Sequence, residues 1–184
     1  MELSPSAAQA ISKFTGDLVA IDRKGNAEAD ATRIKYRIQM EPLFQQRTAL
    51  LKGVQNYWSG VLSSPETPIA RLLNGTTDPK VIRAITDFQV VSRCSGNELF
   101  RKFIFTFRTN MFVEAGEVSR EVDTMMRTTS LQPLKWKSGT ERARTDSFFA
   151  FLTADFPSDD GAMNEAVEAL DVIYQDPFLA VKAD

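Results

Sequence analysis

Apolar residues recur at steps of three and four along the first third of this 184-residue chain, and no other feature limits its folding as much. Leu3, Ala7, Ile11, Phe14, Leu18 and Ile21 form a helical seam with coiled-coil spacing. Ser4-Pro5 supplies a cap and a first-turn proline, and Gly25-Asn26 is expected to weaken or break the helix. The period resumes at Ala27, Ala31, Ile34 and Ile38 and runs through Leu43/Phe44, Arg47, Leu50/Leu51, Val54 and Tyr57/Trp58 to Val61/Leu62. That second run is about ten turns, or roughly 55 Å, and Pro42 should bend it. A stripe this long cannot be buried against one small domain. It calls for a partner helix, and a second copy of the chain is the simplest source. Ile34, Ile38, Leu43, Phe44, Leu50, Leu51 and Val54 are the expected dimerisation residues. The alternative is a coiled hairpin within one chain, folded at Gly25-Asn26.

Ser63-Ser64-Pro65 ends the helical run, which divides the chain into a long dimerisation helix, 1–62, and a second region, 63–184. A short helix is expected over Thr67–Leu73 and a helix start at Thr77-Asp78-Pro79. The period then changes to two. Ile85–Arg93, Leu99–Arg108 and Glu117–Thr124 read as strands at hairpin spacing, and Leu134–Lys137 as a fourth. Phe103, Phe105 and Phe107 share one face of the second run, which makes them core residues, and Val118, Arg120 and Val122 share one face of the third. Ser147–Leu152 opens an aromatic helix, Gly161–Ile173 is amphipathic, and Phe178–Lys182 is a last short helix. The order predicts an α+β fold: a long N-terminal helix, then a four-stranded antiparallel sheet covered by helices on one face.

Much chemistry is closed to this composition. There is no histidine, so His-based triads, HExxH zinc sites and imidazole shuttles are excluded. Cys94 is the only cysteine, which rules out an internal disulfide and a thiolate zinc cluster; beside the turn Ser95-Gly96-Asn97 it reads as a structural thiol. No GxxxxGK or GxGxxG motif occurs. A calcium loop with Gly161 at its sixth position fails, since Phe156 would take the first ligand position and Val167 the twelfth. No apolar run reaches the ~18 residues of a membrane span, and the first twenty residues carry Glu2, Lys13 and Asp17 rather than a signal-like apolar core. We therefore expect a non-catalytic, non-secreted binding protein without metal or cofactor.

Charge points to the partner. The net charge is only −2, but residues 1–144 hold 21 basic against 15 acidic residues, and residues 145–184 hold one lysine against nine acids. On the helix Gly161–Ile173, Met163, Ala166, Val167, Leu170 and Tyr174 share one face, and Glu165, Glu168 and Asp171 are assigned to the other. With Asp155, Asp159, Asp160 and Asp176 at the ends of the same helices, these seven acids are the candidate sites for a basic partner; the alternative is a solvated acidic face. A competing reading is nucleic-acid binding by Arg101, Lys102, Arg108, Arg120, Lys135, Lys137, Arg142 and Arg144.

Four stretches resemble the nucleosome assembly protein/SET family of histone chaperones, in the family's order. They are Pro42-Leu43-Phe44-Gln45-Gln46-Arg47 with Asn56-Tyr57-Trp58, Leu134-Lys135-Trp136-Lys137-Ser138-Gly139, Ser147-Phe148-Phe149-Ala150-Phe151-Leu152-Thr153, and Asp171-Val172-Ile173-Tyr174-Gln175-Asp176-Pro177. The resemblance implies a homodimer paired through antiparallel long helices, two lobes around a cavity, core histones as partners, a weak DNA contact as a secondary possibility, no cofactor, and a place in the nucleus, the cytoplasm or both. A phosphatase-regulating scaffold of the same fold is a further alternative. Two departures stand out: Val172 occupies a position that is acidic in close relatives, and the sequence ends Val181-Lys182-Ala183-Asp184 without a long acidic tail.

Overall fold

The computed structural model describes residues 4–140, 144, 146–154, 156 and 161–180. These form two compact units, 1–39 and 40–184.

From Pro5 onward the first unit is helical, being the start of α1 (Pro5–Leu51). Ser4 caps it, its hydroxyl accepting from the Ala7 N–H at 3.3 Å. The helix continues through Gly25-Asn26, so of the two outcomes expected there the break does not occur, and the hairpin alternative goes with it. One interior glycine costs about 1 kcal/mol relative to alanine, too little to end a hydrogen-bonded ladder. Local pairs flank the position: Asn26 Nδ2 donates to Asp22 at 3.2 Å, and Lys24 lies 3.9 Å from Glu28. Ile11, Phe14, Leu18 and Ile21 are all exposed.

In the second unit, α1 ends at Leu51 rather than reaching Leu62. Residues 52–56 form a turn in which the Val54 N–H bonds to the Leu51 carbonyl at 2.9 Å and Asn56 adopts a left-handed conformation, φ 59°. α2 (Tyr57–Ser63) follows, then a 3-10 turn (Pro68–Arg71) and α3 (Asp78–Ile82).

The sheet has the order β1-β2-β3-β4, all antiparallel: β1 (Ile85–Ser95), β2 (Glu98–Phe107), β3 (Gly116–Val122) and β4 (Thr128–Gln132). The fourth strand is therefore not Leu134–Lys137. Pro133 has no N–H to donate and closes the strand before it. Residues 134–137 instead make an isolated bridge, Val113 to Trp136, with Glu114 N–H to Lys135 O at 2.9 Å and Lys137 N–H to Phe112 O at 2.8 Å.

Alternation does set the strand faces. Phe88, Val90, Phe103, Phe105, Phe107, Val118 and Val122 are buried on one face. Helices cover that face. Trp58 of α2 meets Phe88 edge-on at 5.3 Å; Phe149 and Phe151, in a 3-10 turn (Phe148–Leu152), meet Phe107 and Phe103, each at 5.8 Å. The last covering element is α4 (Gly161–Gln175), followed by a 3-10 turn (Pro177–Ala180).

Candidate functional site

α4 sits on the aromatic core and presents its other side to solvent. Met163, Ala166, Val167, Leu170, Ile173 and Tyr174 are buried. Glu165 and Glu168 are exposed, as is Asp176 just beyond the helix. Val172 and Phe178 are exposed with them, Phe178 by 71%. The solvent side of this helix thus carries Glu165, Glu168 and Val172, with Asp176 and Phe178 exposed beyond its end, and no basic residue occurs between 161 and 180.

Asp171 does not belong to that side. It is only 9% exposed and pairs with Arg101 of β2 at 3.4 Å, while Gln175 Nε2 donates to it at 3.0 Å. The helical period explains the correction: Asp171 stands four residues after Val167 and three before Tyr174, on the edge of the apolar face, although it is also three residues after Glu168. Asp155, Asp159 and Asp160 lie outside the described residues.

Other charged residues hold this support in place. Arg47 of α1 donates to the carbonyls of Tyr174 and Gln175, where the α4 dipole is negative, and lies over the Tyr174 ring at 4.6 Å and the Phe44 ring at 5.1 Å. Arg120, fully buried, donates to the carbonyls of Phe151 and Thr153 and to the Thr128 hydroxyl; burial lowers its pKa from the ordinary arginine value. Asp78, also fully buried, accepts from Ser147 Oγ at 2.5 Å, the Phe148 N–H at 2.8 Å and the Asn74 N–H at 2.7 Å. That contact ties α3 to the Phe148–Leu152 turn. Sequence reasoning missed all three roles. The available signal for Arg120 was a cation at an inward register position between Val118 and Val122.

The opposite face of the sheet carries a second charged cluster. Arg93 makes two bonds to Glu121, at 3.0 and 2.7 Å, and lies over the Phe100 ring at 4.0 Å. The Arg93 bond, with further help from Thr129 and Lys102, outweighs burial and holds the Glu121 carboxyl below its usual range. In the β3–β4 turn, burial pushes the Asp123 carboxyl up, but bonds from the Arg127 N–H and guanidinium and the Met125 N–H outweigh it, so the pKa lies below normal. Among the described residues, no group of three His, Cys, Asp or Glu side chains is placed to hold a metal, and no helix is long and apolar enough to cross a membrane.

No protein-family model matches the chain. NAP1-related protein 2 of Arabidopsis thaliana is 23% identical over 133 residues, 70% of this chain and 51% of that protein, so the chain spans about half the length of the curated relative it matches. Nucleosome assembly protein S of Plasmodium falciparum superposes with a TM-score of 0.59 at 17% identity, covering 95% of this chain and 99% of that one. A further nucleosome assembly protein structure from Plasmodium falciparum gives 0.57 at 16% identity, covering 96% and 94%. The chain has the nucleosome assembly protein fold. The resemblance read from the four sequence stretches holds at this level.

Within this nucleosome assembly protein fold, the residues of the helical seam divide. Leu43, Leu50 and Val54 are exposed, Leu43 by 63% and Leu50 by 79%. Phe44 is buried and meets Tyr174 at 5.4 Å, and Leu51 is half-buried against the same core. Phe44 is therefore not available to a second chain. Leu43/Phe44 and Leu50/Leu51 are neighbours in sequence but about 100° apart around a helix, so one member of each pair faces the core and the other faces out. Ile34 and Ile38 are half-buried.

The basic strip does not assemble. Arg101 is paired with Asp171, and Arg120 is buried. Lys135 lies 4.0 Å from Glu114, Lys137 donates to the Asn110 carbonyl at 2.5 Å, and Arg144 donates to the Lys137 carbonyl at 3.2 Å. Arg142 lies outside the described residues.

Proposed function

We propose that this protein is a histone chaperone: a non-catalytic homodimer that binds core histones through the exposed acidic side of α4 and aids nucleosome assembly or disassembly. The observation that carries the reading is a solvent-facing surface with acids and no base on a firmly tied helix of a nucleosome assembly protein fold. Glu165, Glu168 and Asp176, with Asp155, Asp159 and Asp160 assigned from the sequence, would meet lysine- and arginine-rich histone surface. Long-range attraction speeds such encounters and is screened by salt. Exposed ion pairs contribute only about 0.2–1 kcal/mol each, so apolar burial must add to them, and the exposed Val172 and Phe178 offer it.

Pairing of two chains fits the exposed apolar residues Ile11, Phe14, Leu18 and Ile21 of α1 in the first unit, and Leu43 and Leu50 of α1 with Val54 of the following turn in the second. A second copy with the same stripe would cover them and double the histone surface. The reading needs no cofactor and places the protein in the nucleus, the cytoplasm or both. Analytical ultracentrifugation tests it: the chain alone should sediment at twice the chain mass at micromolar concentration and should shift on adding core histones in moderate salt. A monomer with no histone-dependent shift would overturn the proposal.

A further inference from the structure

Two basic side chains of the second unit stand together without an acidic neighbour among the described residues. Arg83, in the link between α3 and β1, and Arg108, just after β2, are exposed and form no ion pair with any described carboxylate. Both line one cleft of about 320 Å³ with Asn56, Ser59, Gly60 and Ser63, and no acidic residue lies among these six.

The cleft is partly organised in advance. Arg108 donates one guanidinium N–H to the Arg83 carbonyl at 2.7 Å, and its own N–H bonds to the Ala84 carbonyl at 2.8 Å. The guanidinium is thereby held at the cleft with its remaining donors unused. Asn56 is fixed through its carbonyl, which accepts from Ser59 Oγ at 3.0 Å and from the Gly60 N–H at 2.9 Å. Its side-chain amide makes no hydrogen bond among the described residues and lines the same cleft. Gly60 contributes no side chain, and a Cβ placed there would meet nothing within 4 Å, so this part of the wall is open.

We infer that this cleft binds an oxyanion of the phosphate class, and that its ligand is a small oligophosphate group. Its lining residues carry two guanidinium groups and an amide, all three with donors that the fold does not use. A phosphate presents three oxygens to such a set, whereas a carboxylate presents two in one plane. The cleft is open to solvent, so a short run of linked phosphates can reach it. The site is separate from the acidic side of α4 and does not depend on the histone reading.

The test is calorimetric titration of the full chain with inorganic tripolyphosphate at moderate salt. Arg83→Gln is the informative variant, because Arg83 serves the fold through its backbone carbonyl, which the substitution keeps. Binding should occur once per chain and weaken at least roughly tenfold in Arg83→Gln and again in Arg83→Gln/Arg108→Gln, as lost charge-assisted bonds require. Arg33→Gln, which removes an exposed charge elsewhere on α1, should change nothing beyond about twofold. Thermal melts check that the variants remain folded; if the double variant does not, Arg83→Gln alone decides. No binding by the wild type, or equal weakening in Arg33→Gln, would overturn the inference. Binding of duplex DNA through the two arginines without tripolyphosphate binding would overturn the small-ligand assignment in favour of a nucleic-acid contact.

Discussion

Replacing Asp171 with asparagine separates a supporting acid from a binding acid. The Asp171 carboxylate faces the Arg101 guanidinium at 3.4 Å, and both side chains are 13% exposed. Breaking a fully buried pair by removing one partner costs about 3–5 kcal/mol. This pair retains some solvent, and asparagine can still accept from Gln175, so we expect a smaller loss of about 2 kcal/mol. With a urea m-value of about 2 kcal/mol/M, the unfolding midpoint should fall by about 1 M at fixed protein concentration. Glu168→Gln, a similar change on the exposed side, should stay within about 0.5 kcal/mol of wild type. Replacing both partners with apolar groups, Arg101→Met/Asp171→Leu, should recover much of the loss, since an apolar pair leaves no buried charge behind. Equal midpoints for Asp171→Asn and Glu168→Gln would refute the placement of Asp171 in the support.

Other outcomes follow from the same structure. Phe44→Ala should cost about 3–4 kcal/mol in urea unfolding, whereas Leu43→Ala, one residue earlier and exposed, should cost little and show its effect in dimer dissociation measured by sedimentation. Gly25→Ala should raise the melting temperature slightly, by about 0.5–1 kcal/mol of stability, because the helix is continuous there. Glu121 and Asp123 both titrate below their ordinary values when folded. Their stabilisation is therefore fully present above the unfolded carboxylate values near pH 4 and is lost as pH falls through the folded ones. Urea midpoints from pH 6 to pH 2 should drop less steeply in Glu121→Gln than in wild type.

Period-2 runs and a long 3.6-period seam were enough to read the architecture from sequence, because alternation at Phe103, Phe105 and Phe107 and repetition along α1 are strong local signals. The fourth strand was not legible in the same way. Thr128–Gln132 carries one large apolar residue, while Leu134–Lys137 carries Leu134 and Trp136, so apolar content pointed to the wrong segment and Pro133 was the better guide. The acidic surface was legible as composition but not residue by residue. Nothing local distinguishes Glu168 from Asp171; the distinction is made by Arg101, seventy residues away on β2. The seam was similarly ambiguous. Leu43/Phe44 and Leu50/Leu51 read as one stripe until Tyr174 and the sheet decide which member is buried. Long-range partners, not local pattern, set these details.

The central claim is that the exposed acids of α4, with Asp176 just beyond it, bind core histones. It is tested most directly by titrating labelled core histones with wild type and with Glu165→Gln/Glu168→Gln/Asp176→Asn at several salt concentrations. All three side chains are exposed, so fold and sedimenting mass should be unchanged. At about 0.2–1 kcal/mol for each contact, affinity should fall roughly three- to a hundredfold, and its dependence on salt should flatten. A triple variant that binds histones as tightly as wild type, with the same salt slope, would contradict the claim.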